Sequence, residues 1–319
     1  YFHNVLCLSE AKGMDIIMVK SFEEVKERLL ASPVKRKVGV AAAHDEHTMD
    51  AVVMAARDGL VDPVLVGDEE KICEILKGLD FDPAQVEIIN IPDPVEAAMK
   101  VASLVREGKI DCVMKGKIET GPLMKVMVNR EHGIRKNDTM SLVSFIDSPY
   151  YHKVFGITDV GLLTYPNTEQ KKAAIENAAA AFHALGVENP KVAVLTAVEK
   201  VNPKMPETVE AEQLKKMNQE GEMPGCIVEG PISYDLAMDP ESWKIKGYES
   251  PVAGDADILV VPNIQAGNIL IKCLSFTGGA KTCGVIMGAM VPLIITSRSS
   301  PVEDKFMSIV MSALIGGAK

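Results

Sequence analysis

Apolar residues fall in two rhythms along this chain. Short runs of four to seven apolar residues alternate with longer stretches in which they recur every third or fourth position. Phe22 to Leu30 has the helical spacing and predicts a short amphipathic helix. An apolar strand over 37–43 feeds a helix over 47–58, closed by Gly59. A strand over 63–66 stops at Gly67-Asp68, a helix covers 69–77, and a strand covers 86–91. Pro94 opens a helix that reaches 107 and ends at Gly108. A strand over 112–114 stops at Lys115-Gly116, and a helix follows over about 121–129.

The rhythm breaks over 147–156, where Pro149, two tyrosines and a His-Lys pair predict a crossover. A second series follows: strand 161–164, helix 168–185, strand 191–196, helix 206–220 and strand 226–228. Residues 230–250 read as irregular, with a helical piece around Asp235. Strand 258–262, helix 267–277, strand 283–287 and a closing strand, loop and helix over 291–314 complete the chain.

The strands are near-continuous apolar runs. Such runs suit strands covered on both faces, hence a mainly parallel sheet flanked by helices. The expected fold is α/β: two three-layer α/β domains, one interrupted by the other. The first is expected over 14–148 and 291–319 and the second over 149–290, with one large doubly wound sheet as the alternative. Residues 1–13 match nothing that follows, and Met14 reads as a start. They are expected to be a leader or a cloning-derived segment, without the basic stretch or cleavage pattern of a signal peptide.

Composition narrows the function. With 47% hydrophobic and 24% charged residues the chain is globular, and 319 residues suffice for two domains. The net charge of −10 argues against a nucleic-acid partner. It also means that an anionic ligand needs a local basic patch. No apolar run approaches the roughly 20 residues of a membrane span, so no membrane partner is expected. Six cysteines without a C-x-x-C pair read as reduced thiols and a cytoplasmic setting.

Ligands of open α/β sheets bind at the carboxyl ends of strands, and three strand ends carry unusual chemistry. Over 114–121, Gly116 and Gly121 allow close backbone approach while Lys115, Lys117 and Lys125 bring charge, with Arg130, Arg135 and Lys136 following. Against this stands an ordinary solvated face. Over 262–269, Gly267-Asn268 at a helix start offers backbone donors and an amide, with simple capping by Asn263 or Asn268 as the equal rival. Over 294–305, an apolar strand drops into Thr296-Ser297-Arg298-Ser299-Ser300 before Pro301 opens the last helix. Free N–H groups and the helix dipole favour an anion there, and Arg298 adds a planar fork. A plain N-terminal cap is the alternative, and Glu303 and Asp304 could simply face the dipole. His44-Asp45-Glu46-His47 has a metal-site composition. Adjacent residues do not converge on one centre, so capping by Asp45 is the expectation and no metal is expected. No P-loop, complete G-x-G-x-x-G or G-x-S-x-G is present.

At these segments the sequence resembles the phosphate acetyl/butyryltransferase family. The block 297–304, Ser-Arg-Ser-Ser-Pro-Val-Glu-Asp, is similar to that family's Ser-Arg-x-x-Ser-x-Glu-Asp pattern, with Pro301 where the acetyl branch often has serine. Residues 250–257 (Ser-Pro-Val-Ala-Gly-Asp-Ala-Asp), Pro262, 266–269 and the blocks 230–233 and 129–135 support it. The last two blocks look more like the butyryl branch. The resemblance implies the isocitrate/isopropylmalate dehydrogenase-like fold, two domains around a cleft, and a homodimer. It also implies transfer of an acyl group between coenzyme A and phosphate. Acyl-CoA, CoA and phosphate are then the partners, CoA is a substrate, and no covalently bound cofactor, metal or covalent intermediate is needed.

By the same resemblance Asp304 is the base for the CoA thiol, Ser297 bonds the developing charge and Arg298 holds phosphate. Lys115, Gly116, Thr120, Lys125, Arg135, Gly267, Asn268 and Ser300 are the implied phosphate and CoA contacts. Lys125 stands where the acetyl branch has a phosphate-binding arginine; the lysine keeps the charge and loses the fork. Butyryl-CoA is the expected substrate, with acetyl or branched acyl groups as alternatives. A metal- and NAD(P)-dependent dehydrogenase of the related fold and a non-catalytic CoA- or phosphate-binding protein are the readings from other classes.

Overall fold

The structure is a computed structural model and describes residues 18–296 and 300–318. The expected leader, Ser297 and Arg298 lie outside the described residues.

Helices start where the sequence can cap them. Helix α1 (Phe22–Leu30) follows Ser21, whose hydroxyl accepts the Glu24 amide. Strand β1 (Arg36–Ala41) leads into α2 (Glu46–Arg57), capped by Asp45. Strand β2 (Val61–Gly67) leads into α3 (Glu69–Gly78), capped by Asp68. Then come β3 (Glu87–Asn90), α4 (Pro94–Arg106) with Asp93 as cap, β4 (Cys112–Lys115) and α5 (Thr120–Met127). The second series holds β5 (Ser141–Asp147), β6 (Phe155–Thr158) and α6 (Thr168–Ala184), which opens on an Asn167–Gln170 capping box. Next are β7 (Lys191–Leu195), α7 (Pro206–Gln219), β8 (Ile227–Ile232), α8 (Tyr234–Met238) and α9 (Pro240–Lys246). The chain ends with β9 (Ile258–Val260), α10 (Ile264–Lys272), β10 (Lys281–Met287), β11 (Leu293–Ile294) and α11 (Val302–Gly316).

The eleven strands of the described residues join one sheet in the order β3-β2-β1-β4-β11-β10-β5-β6-β9-β7-β8. Pairing is parallel except for three successive steps, β11–β10, β10–β5 and β5–β6. Three reversals make one net reversal. Strands β6, β9, β7 and β8 therefore run opposite to β3, β2, β1, β4 and β11, and the carboxyl ends of the two parallel blocks lie at opposite edges of the sheet.

The core follows the two faces. One face is covered along its whole length, with Val40, Met114, Phe145, Val194 and Ile258 packed under α1, α2, α6, α7 and α11. The other face divides. Val64, Val113 and Leu293 pack under α4 and α5, while Ile157, Leu195 and Leu259 pack under α8 and α10. Leu142 touches both clusters. Helix α11 is buried on nearly all sides, and its neighbours include α1, α2, α6 and β10.

Two expectations fail around the middle of the chain. Strands β5 and β6 flank the 147–156 stretch read as a crossover, and the pattern predicted neither of them. Buried Ser141 and Ser144 interrupt the apolar run of β5, which hid it. Ser141 keeps a partner because Asn177 donates to its hydroxyl at 3.0 Å. The strand expected over 161–164 is a turn. The Asp159 carboxylate accepts the Gly161 and Leu162 amides at 2.8 and 2.7 Å, which bends the backbone away from the sheet.

Candidate functional site

The sheet brings two of the three strand ends together. β11 pairs in parallel with β4, with Ile294 beside Met114. The basic segment after β4 and the segment between β11 and α11 thus leave the sheet side by side. The Gly116 amide donates to the Ala41 carbonyl at 2.9 Å, and the Lys117 amide to that of Ala42 at 2.8 Å. A Cβ on Gly116 would sit 2.2 Å from the Ala42 oxygen, so only glycine fits the turn. The Lys115 ammonium folds over it and donates to the Ile118 carbonyl at 3.0 Å.

A cavity of about 180 Å³ opens here, lined by Asp45, Thr48, Lys115, Gly116, Lys117, Thr296 and Lys305. Three of these residues are lysines and one is acidic. Asp45 caps α2, accepting the Thr48 amide at 3.0 Å and its hydroxyl at 2.5 Å. Thr120 lies exposed at the start of α5, and Ser300 is half-buried just before Pro301.

Asp304 is the half-buried carboxylate on the first turn of α11. The Thr282 hydroxyl, on β10, donates to its Oδ2 at 3.1 Å. The Ser308 hydroxyl donates to the Asp304 carbonyl at 2.7 Å and accepts the Gly284 amide at 3.0 Å. β10 therefore holds this turn by side chain and by backbone. Burial raises the Asp304 carboxyl above the usual range, the Thr282 bond pulls it back, and neighbouring Glu303 adds to the rise. Successive helical residues diverge by about 100°. Asp304 accordingly turns to β10 while Lys305 lines the cavity, and Asp304 is not one of the lining residues.

Other expected contacts stand apart. Lys125 is exposed and lines a separate groove of about 520 Å³ with Val95, Met99, Pro122 and Val126. Arg135 pairs with Asp138, and its Nε donates to the Asn137 carbonyl at 3.0 Å. Its backbone bridges to Ala289, on the edge of the sheet opposite the cavity. Gly267 and Asn268 follow the carboxyl end of β9 and lie towards that opposite edge too. The expected free donors of Gly267 are absent. The helix begins three residues earlier, at Ile264, with Asn263 accepting the Gln265 and Ala266 amides, and the Gly267 amide bonds the Asn263 carbonyl at 3.1 Å. Glycine is needed there for packing, since a Cβ would meet Val261 at 2.8 Å. The Asn268 amide reaches the Val160 carbonyl at 3.4 Å.

The block 250–257 carries an ion cluster. Lys153, 5% exposed, meets Asp255 at 2.8 Å and Asp257 at 2.7 Å. Lys191 meets Asp255 at 2.5 Å, and its amide donates to Asp257 at 2.7 Å. Burial would raise the Asp255 carboxyl, but the two ammonium groups overcome it and hold it down at about 2. These residues tie together the amino ends of β6, β7 and β9. The His44–His47 segment borders a larger cavity of about 870 Å³ whose walls also include Asp50 and Glu74. Among the described residues no group of three His, Cys, Asp or Glu is arranged to hold a metal ion.

Sequence reasoning passed over Thr282 and Lys305. Thr282 gave no signal inside its strand. Lys305 did give one: it is the charged residue on a buried face that carries Phe306, Ser308, Ile309 and Ser312.

Residues 93–313 match the family described as phosphate acetyl/butaryl transferase. The chain is 40% identical over 302 residues to the phosphate butyryltransferase of Clostridium acetobutylicum, covering 95% of this chain and all of that one. It is 45% identical over 279 residues to the phosphate acetyltransferase of Thermotoga maritima, covering 88% and 95%. The solved branched-chain phosphotransacylase of Enterococcus faecalis V583 superposes with a TM-score of 0.79 at 31% identity, covering 88% of this chain and 99% of that one.

Proposed function

This chain belongs to the phosphate acetyl/butaryl transferase family, and from that premise we propose that it is a phosphate butyryltransferase, interconverting butyryl-CoA and phosphate with butyryl phosphate and CoA. It is a phosphate acyltransferase, and the dehydrogenase reading falls away beside relatives of this kind. The observation that carries the mechanism is the pairing of a cationic cavity at the ends of β4 and β11 with a half-buried carboxylate one residue from its wall.

Towards acyl-CoA, Asp304 takes the proton of the CoA thiol, which is mostly protonated at neutral pH. The sulfur attacks the acyl carbon, the oxyanion forms, and the bond to the phosphate oxygen breaks. Phosphate leaves into the lysine-lined cavity beside Lys115 and Gly116. Thr120 and Ser300, at the starts of the two adjoining helices, are assigned to the same substrates. Ser297 and Arg298 keep the roles that the family pattern gives them, at the reacting centre and on phosphate. Lys125, Arg135, Gly267 and Asn268 are not assigned to this cavity.

The test is phosphate-dependent release of thiol from butyryl-CoA. Asp304→Asn should lower turnover roughly 10²- to 10⁴-fold with little change in the Michaelis constant for CoA. Unchanged turnover removes Asp304 as the base. The relatives divide over the acyl group, so acetyl transfer is the second reading. A series from acetyl to hexanoyl with branched substrates separates them, each methylene being worth about 1–3 kcal/mol of selectivity.

We carry three coarser expectations forward as proposals. A two-domain arrangement (14–148 with 291–319, and 149–290) around a cleft is supported by the division of one core face into two clusters. A homodimer is supported by the exposed Ile269 and Phe276, on and just beyond α10, and light scattering tests it. A cytoplasmic setting is supported by five described cysteines that are free thiols. No described helix is long and apolar enough to cross a membrane.

A further inference from the structure

Lys305 is 3% exposed, yet its side chain lines the cavity between β4 and α11. Among the described residues no carboxylate pairs with it and its ammonium makes no hydrogen bond. The two other buried lysines among the described residues differ. Lys153 holds Asp255 and Asp257, and Lys171 holds Glu210. The ammonium of Lys305 instead faces the cavity, with no countercharge supplied by a described residue. A chain keeps such a group where something outside the chain completes it.

The surroundings say what that partner is. Lys115 and Lys117 share the cavity wall, and its single carboxylate, Asp45, already accepts both the amide and the hydroxyl of Thr48. Lys305 sits on the first turn of α11, fifteen residues long, so the positive end of that helix lies near the cavity wall and favours an anion. Its 180 Å³ equals about six waters, enough for a tetrahedral oxyanion but not for a nucleotide.

We propose that Lys305 binds the phosphate substrate, and the phosphoryl end of the acyl phosphate, in this cavity. The proposal rests on the phosphate acyltransferase reading and adds a binding residue to it. Lys305 acts as a fixed cation: it neutralises the phosphate that leaves in one direction and attacks in the other. Its neighbour Asp304 turns the other way and handles the thiol proton. Two adjacent residues of one helical turn thus divide the two substrates between them.

The experiment is Lys305→Met, which keeps the length and removes the charge. Inorganic phosphate is titrated into both proteins by calorimetry and by thermal melting, and the Michaelis constants for phosphate and butyryl-CoA are measured separately. The expected result is a folded variant whose Tm in phosphate-free buffer equals or exceeds that of the wild type. Its stabilisation by phosphate is lost, its Michaelis constant for phosphate rises roughly 10- to 100-fold, and that for butyryl-CoA stays within about twofold. An unchanged response to phosphate overturns the proposal. So does a variant that melts lower or does not fold, because that outcome makes Lys305 a structural residue. If the wild type binds phosphate but releases no thiol from butyryl-, acetyl- or branched acyl-CoA, the acyltransferase reading fails, and calorimetry on Lys305→Met still decides the binding role.

Discussion

Lys153 and Lys305 are buried to nearly the same degree, and both lie on the edge of the sheet where β4 and β11 end and β6 and β9 begin. Lys153 has two carboxylates within 2.8 Å. Lys305 has none among the described residues. The first arrangement is closed: charge, countercharge and backbone donors are all supplied by the chain. The second is open, and its missing charge is of the kind that a substrate brings. Burial alone therefore does not separate a structural ion from a functional one. What separates them is whether the folded chain completes the pair.

The comparison is broken most sharply at Asp257. It is buried, and it accepts both the Lys153 ammonium and the Lys191 amide. Asp257→Ala leaves Lys153 with Asp255 alone and the Lys191 amide without its acceptor, and should cost about 3 kcal/mol of stability, the low end for breaking a buried pair because Asp255 still compensates the ammonium in part. Chemical denaturation measures it. A cost below about 1 kcal/mol would show that the cluster is not closed in the sense argued here, and the contrast with Lys305 would collapse.

Acid should find the same cluster. The Asp255 carboxyl is held at about 2, below its ordinary 3.8. A depressed carboxyl adds stability above the unfolded value, and that stability is lost as pH falls through the folded one. Thermal melts should therefore decline between about pH 4 and pH 2. Asp255→Asn should melt lower than the wild type at neutral pH and lose less over that window. Parallel curves for the two proteins would remove Asp255 as the titrating group.

Much of the fold was legible because local signals agree with the tertiary structure. Ser21, Asp45, Asp68, Asp93 and Asn167 each cap a helix near where the pattern starts one. The middle of the chain was not legible. A run broken by Ser141 and Ser144 looks like surface until Asn177, thirty-six residues after Ser141, supplies a partner for it. The site was legible only in part, for a non-local reason. Sequence marks the ends of β4, β9 and β11 alike, but sheet order decides which of them meet. Three antiparallel steps send the β9 end, with Gly267 and Asn268, to the other edge. The block 250–257 carried a family signature and proved to be an ion cluster. Lys305 was visible as a charge in a helix of mostly apolar and small residues, and the cavity it faces was not.

The smallest predicted effect concerns the carboxylate beside Lys305. Burial raises the Asp304 carboxyl, and the Thr282 hydroxyl opposes that by donating to the ionised form. Thr282→Val keeps the shape of the side chain and deletes the donor. The carboxyl should then rise further, so more of it is protonated at a given pH. A base must be ionised to act, so the acid limb of turnover should move to higher pH. At neutral pH the loss should be modest, roughly 2- to 10-fold, the worth of one hydrogen bond. The Michaelis constant for phosphate should not move, because phosphate belongs to Lys305 on the other side of the turn. A pH profile of Thr282→Val with both constants separated gives the answer. If the limb stays in place, Thr282 does not tune the base. If the phosphate constant rises with it, the two sides of this helical turn are not independent, and the division of labour between Asp304 and Lys305 is wrong.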